Sequence, residues 1–203
     1  SIGRAIIRVR EAGLMEAIPS RRGRGRYPRH LLRLTERGED IYRLLRGEAP
    51  APAQTTELLK RHKSPEHAAL NLDAANRLWE AGYDVDLFPD PVALDTGTYY
   101  PDLVITTPEG RTLYVECERN TRKNPQERER KWALYYAASG GYFLVVTSSE
   151  EAGQAIQREI LTWAGERPLT LWMASVEGQE TGLEWVDVLQ SDSLALGIGG
   201  SGN

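Results

Sequence analysis

Asp102, Glu116 and Glu118 are spaced to hold a divalent metal ion. Each lies in or beside a short apolar run: Leu103-Val104-Ile105, then Leu113-Tyr114-Val115. Pro108-Glu109-Gly110 stands between the runs and reads as a tight turn, so the pair is predicted as a hairpin. Side chains alternate along a strand, which puts Glu116 and Glu118 on one face and Cys117 on the other. The hairpin then brings Asp102 beside them. Three carboxylates on one edge repel one another unless a hard cation sits among them, and Mg²⁺ or Mn²⁺ suits such oxygen ligands. That equipment serves phosphodiester hydrolysis.

The elements that must position this trio belong to a chain of 203 residues, 40% hydrophobic and 27% charged, an ordinary globular composition. No apolar stretch is long enough to span a membrane, and Ser1-Ile2-Gly3-Arg4 is not expected to open a signal peptide, because no long apolar core follows it. The single cysteine, Cys117, excludes an internal disulfide and fits a reducing cytoplasm. The net charge of −4 hides a split: residues 1–63 carry 15 Lys and Arg against 7 Asp and Glu, whereas 64–203 carry 10 against 22. A basic module joined to an acidic one points to a polyanion as partner of the first.

In the basic part, Ala5 to Leu14 reads as a helix ending near Gly13, with Arg4 and Arg8 on its polar face. Leu14 to Ile18 reads as extended, and a glycine-arginine turn follows with Arg21, Arg22, Arg24, Arg26 and Arg29. Leu31 to Leu34 comes next, and Thr35 is a good N-cap for a helix from Glu36 to Leu45. Helix, strand, basic loop, strand and Leu34-Thr35-Glu36-Arg37-Gly38 before a helix resembles the back half of a winged-helix DNA-binding domain. The resemblance implies a recognition helix at the start and a wing in the loop, both meeting DNA phosphates. The front helices of such a domain are missing, so the chain is expected to be a fragment of a longer one.

Four segments are expected: a partial winged helix over 1–47, a proline-stiffened linker over 48–63, a second module over 64–190 and a frayed tail over 191–203. The second module opens with Ser64-Pro65, a cap followed by proline at the first helical position. Leu70, Ala74, Leu78 and Ala81 then follow helical spacing. Strands are predicted at Tyr83–Phe88, at the two acidic runs, at Tyr142–Val146 and at Leu169–Met173. Helices are predicted from Asn124-Pro125 and from Ser149. The order α-β-β-β-α-β-α-β, with Pro101-Asp102 at one strand and Glu116-x-Glu118 on the next, resembles the PD-(D/E)XK restriction-endonuclease-like superfamily, an α/β (α+β) fold.

A closer resemblance joins both modules. Glu66-His67-Ala68-Ala69-Leu70, then Glu116-Cys117-Glu118-Arg119, then Lys131-Trp132-Ala133-Leu134-Tyr135 are similar to the replication-relaxation proteins of plasmids and other mobile elements. The resemblance implies a prokaryotic, cytoplasmic DNA-binding protein with a nuclease-like domain, and, since such nucleases often pair, a homodimer. The chain departs from the family's pattern at Leu70, one place later than in the family, and from the wider nuclease superfamily's pattern at Glu118, where that pattern has lysine. Lysine would offset developing negative charge, which glutamate cannot do. Two readings stay open for Glu118: an acid in lysine's place, as ligand or base, or a displaced lysine, with Lys131 on the following helix reaching back and Lys123 a weaker candidate.

Asp102, Glu116, Glu118 and Lys131 are therefore the candidate catalytic residues. Arg119, Arg122 and Lys123 open a basic strip that would guide DNA, unless that strip is a solvated helix face. His67 and Asp73 have weaker claims on the same edge, while His30 and His62 show no metal-ligand spacing. Trp132, Tyr135 and Tyr136 are expected in the core. The chain is read as a DNA-binding, Mg²⁺- or Mn²⁺-dependent DNA nicking or cleaving protein. The alternative is a non-catalytic DNA-binding regulator of replication or plasmid maintenance.

Overall fold

The computed structural model describes residues 2–19, 30–49, 54–62, 64–119, 124–177 and 182–188. The chain divides into two units, Ser1–Ala69 and Leu70–Asn203.

In the first unit, α1 (Ile2–Glu11) stops at Gly13, whose φ of 69° lets Leu14 N–H turn back onto the Val9 carbonyl at 3.0 Å. Strands β1 (Met15–Pro19) and β2 (His30–Leu34) pair antiparallel, from Met15↔Leu34 to Pro19↔His30. Helix α2 (Glu36–Arg46) starts at Thr35, which accepts from Gly38 N–H at 3.1 Å and donates to the Gly13 carbonyl at 2.7 Å. The Leu-Thr-x-x-Gly signature thus has a steric cause. A Cβ at Gly38 would collide with the Leu14 carbonyl oxygen, so only glycine lets α2 come this close to the start of β1. Helix α3 (Gln54–His62) is tied to β2 by Thr55, whose hydroxyl donates to the Leu32 carbonyl at 3.1 Å.

In the second unit the remainder of α4 (Pro65–Glu80) buries Leu70, Ala74 and Leu78, whereas Ala81 lies beyond the helix end and is exposed. The main sheet has six strands in the order β10-β9-β8-β7-β6-β3. Its centre is β7 (Thr112–Glu118), β8 (Tyr142–Thr147) and β9 (Thr170–Ser175), mutually parallel and connected through α5 (Pro125–Ser139) and α6 (Glu150–Ala164). Parallel neighbours need such crossovers. β6 (Leu103–Thr106) runs antiparallel to β7 across the turn at Gly110, and β3 (Asp84–Asp86) and β10 (Val186–Asp187) close the edges antiparallel. The result is a mixed α/β sheet protein. A separate hairpin, β4 (Val92–Leu94) and β5 (Gly97–Tyr99), packs against α5.

Trp132, Tyr135 and Phe143 are fully buried, with the Tyr135 and Phe143 rings stacked at 4.1 Å, so the aromatic spacing on α5 serves the core. Among the described residues no helix is long and apolar enough to cross a membrane.

Candidate functional site

β7 ends on four consecutive buried residues, Val115, Glu116, Cys117 and Glu118. Two ionisable side chains only 1% exposed are costly unless they find partners. Glu116 and Glu118 share a side of the strand, and the Lys131 ammonium from α5 lies against both, 2.5 Å from Glu118 Oε1 and in contact with Glu116 Oε2. Arg128 stands one helical turn earlier on α5, on the same face. Its Nη1 donates to Glu118 Oε2 at 2.9 Å. Its Nε and Nη2 donate to Glu159 of α6 at 2.5 and 2.9 Å, and Trp132 Nε1 donates to the same carboxylate at 2.6 Å. Arg128 therefore ties the end of β7 to α6.

Asp102 immediately precedes β6, whose first residue pairs Leu103↔Val115. Its Oδ2 accepts the Cys117 backbone N–H at 2.9 Å, so this carboxylate takes a place in the strand ladder between the two glutamates. Glu116 has one further partner, Tyr99 of β5, whose hydroxyl donates to Oε1 at 2.6 Å.

The electrostatics follow from burial and crowding. Burial, with help from Asp102, pushes Glu116 up to about 7, although Lys131 and the hydrogen bonds oppose the rise. Burial alone would lower Lys131, but Glu116, Glu118 and Asp102 outweigh it and hold the ammonium well above its ordinary value. Arg128 is likewise raised: burial works against its charge, and the Glu159 and Glu118 carboxylates prevail. Burial and the surrounding carboxylates push the Cys117 thiol well up, which leaves it a neutral packing group rather than a nucleophile. The Lys131 side chain is 24% exposed while both glutamates are sealed at 1%, so of these three side chains Lys131 is the one that reaches solvent.

Asp102, Glu116, Glu118 and Lys131 are thus brought together at one end of β7. Arg119 follows β7 directly and is half-buried, whereas Arg122 and Lys123 lie outside the described residues. Of the basic strip on α5, Arg128 and Lys131 turn inward to carboxylates and Arg130 is exposed. Arg4 and Arg8 are exposed on α1, and Arg21, Arg22, Arg24, Arg26 and Arg29 lie outside the described residues. In the first unit the His62 and His67 rings are 4.6 Å apart, with ligand nitrogens within 4.8 Å. They are among the side chains that could hold a metal ion, though the sequence offered no ligand spacing at His62.

Tyr99 and Glu159 were not singled out from sequence. Tyr99 lies on a three-residue strand, too short for a periodicity signal, and only the turn residues Asp95 and Gly97 hint at the hairpin. Glu159 reads as an ordinary polar position of an amphipathic helix. Comparisons with protein-family models, with curated proteins and with solved structures find no match to this chain.

Proposed function

We propose that the second unit is a metal-dependent phosphodiesterase centre of the PD-(D/E)XK kind. Asp102, Glu116, Glu118 and Lys131 form its working group, and the basic first unit, of winged-helix kind, delivers DNA to it. One observation carries this reading: a lysine ammonium lies against two buried glutamates at the strand end where Asp102 joins them. Burying that many ionisable groups together is hard to justify by stability, and such clusters concentrate at reaction centres.

The donor set suits Mg²⁺ or Mn²⁺. It is all oxygen, and burial first, with the Asp102 charge adding to it, raises the proton affinity of Glu116, a tendency that a divalent cation would oppose. Asp102, Glu116 and Glu118 would hold the ion only after drawing closer, because among the described residues they do not form a group with ligand atoms all within 4.8 Å of one another. The bound ion would supply a Lewis acid for a phosphoryl oxygen. Lys131 would offset the charge that develops on phosphate.

A second reading has an observation of its own. Every carboxylate of the cluster already has an internal donor: Cys117 N–H for Asp102, Tyr99 and Lys131 for Glu116, and Arg128 and Lys131 for Glu118. A polar core satisfied in this way fits a non-catalytic DNA-binding regulator that keeps the nuclease-like frame.

Supercoiled plasmid incubated with Mg²⁺ or Mn²⁺ separates the two. Nicking that vanishes in Asp102→Asn and Glu116→Gln supports hydrolysis. Salt-sensitive binding with no nicking at any metal concentration rejects hydrolysis in favour of the regulator.

A further inference from the structure

Tyr99 is held more firmly than a core tyrosine needs to be. It is 3% exposed, stacked on Tyr135 at 5.3 Å and 9°, and set edge-on to Tyr114 at 5.7 Å and 85°. It stands outside the main sheet, on the β4–β5 hairpin, and α5 packs against both strands of that hairpin. The hairpin turns at Gly97, with a φ of 141°, and a Cβ there would lie 3.5 Å from Arg130 and 3.6 Å from Leu134 of α5. With the ring held between the two tyrosine rings, its hydroxyl meets Glu116 Oε1 while Lys131 meets Oε2.

We infer that Tyr99 is the positioning residue of the centre: its hydroxyl pins one oxygen of Glu116 and so aims the other at the Lys131 edge, where a cation and a phosphate would be received. The inference rests on the hydrolase reading for its purpose, though not for its geometry. A neutral donor on a ligating carboxylate fixes its rotamer without competing for the same oxygen. The β4–β5 hairpin is then the device that carries this hydroxyl to the end of β7.

The test uses the full chain with Mn²⁺ as probe. Tyr99→Phe keeps the ring and removes the hydroxyl. Tyr135→Phe is the matched control, because among the described residues its buried hydroxyl bonds to backbone, at Tyr114 O and Leu144. Calorimetry is expected to show Mn²⁺ binding weakened roughly 10-fold in Tyr99→Phe. The half-saturating Mn²⁺ concentration for nicking should rise by the same factor with the KM for DNA unchanged, and Tyr135→Phe should bind Mn²⁺ as the wild type does. Equal affinity in Tyr99→Phe and the wild type, or equal losses in both variants, overturns the inference. A second readout needs no metal. The carboxyl carbon resonance of Glu116, assigned by its loss in Glu116→Gln, should move in Tyr99→Phe and stay in Tyr135→Phe, and a resonance unmoved in Tyr99→Phe overturns the inference. A wild-type chain that neither binds Mn²⁺ nor nicks DNA defeats the hydrolase reading alone, and the resonance then decides whether Tyr99 holds Glu116.

Discussion

Lys131 of α5 donates to Oε1 of Glu118 at the end of β7, at 2.5 Å, while the same ammonium touches Glu116. One cation thus serves two sealed carboxylates, and its removal leaves Glu116 to the neutral Tyr99 hydroxyl while Glu118 keeps Arg128. Lys131→Met is expected to cost about 3–5 kcal/mol, the usual penalty for breaking a buried pair from one side. Urea unfolding should show a larger loss at pH 8 than at pH 5.5, because protonation near the lower pH neutralises Glu116. An equal loss at both pH values would contradict a shared ammonium.

Glu116 makes its own pH prediction. Its folded-state value is raised from 4.5 to about 7, so between those values the native chain keeps a proton that the unfolded chain sheds. Its contribution to stability is therefore full below pH 4.5 and declines as pH rises towards 7, by up to ~1.4 kcal/mol per pH unit. Glu116→Gln should flatten that decline in melting curves taken across the window. Ligation needs the ionised form, so Mn²⁺ affinity should climb with pH through about 7. An affinity that is flat from pH 6 to pH 8 would refute Glu116 as a ligand.

Gly38→Ala drives a methyl group into the Leu14 carbonyl, which is backbone and cannot swing aside. The expected loss is about 1–3 kcal/mol. Thr35→Ala, which removes only the cap and its bond to Gly13, should cost about 1 kcal/mol. Denaturant titration of the two variants checks the order, and a harmless Gly38→Ala would remove the steric account of the signature.

Arg4 and Arg8 are exposed on α1 and free of any sheet-forming duty. If α1 lies along DNA, replacing both with Ala should weaken binding to unrelated sequences alike. It should also reduce the slope of log affinity against log salt by roughly 1 for each phosphate that is no longer neutralised. An unchanged salt slope would place the DNA surface elsewhere.

Much of the molecule was open to reading from residue types. Ser149 and Asn124-Pro125 announce α6 and α5 because a side-chain oxygen must accept the first orphan N–H groups, and both do. Pro108-Glu109-Gly110 announces the β6–β7 turn because Gly110 needs a positive φ, here 79°. Alternation along β7 puts Glu116 and Glu118 on a common side, and that much is a property of any strand.

What alternation could not decide was the company those glutamates keep. The charge run from Arg119 to Lys131 reads as a solvated or phosphate-guiding strip from which Lys131 could reach back, and Lys131 does turn inward. Arg128, which sequence did not single out, turns inward with it, because a sealed carboxylate draws the nearest cation. Tyr99 shows the same limit. Seventeen positions separate it from Glu116, and their contact exists only because a short hairpin packs on a helix that comes later in the chain. Local sequence determined the elements, since capping, turns and alternation act within a few residues. Tertiary packing decided which ionisable groups meet and hence how strongly each holds its proton, because burial and Coulomb forces depend on distance in space and not on separation along the chain.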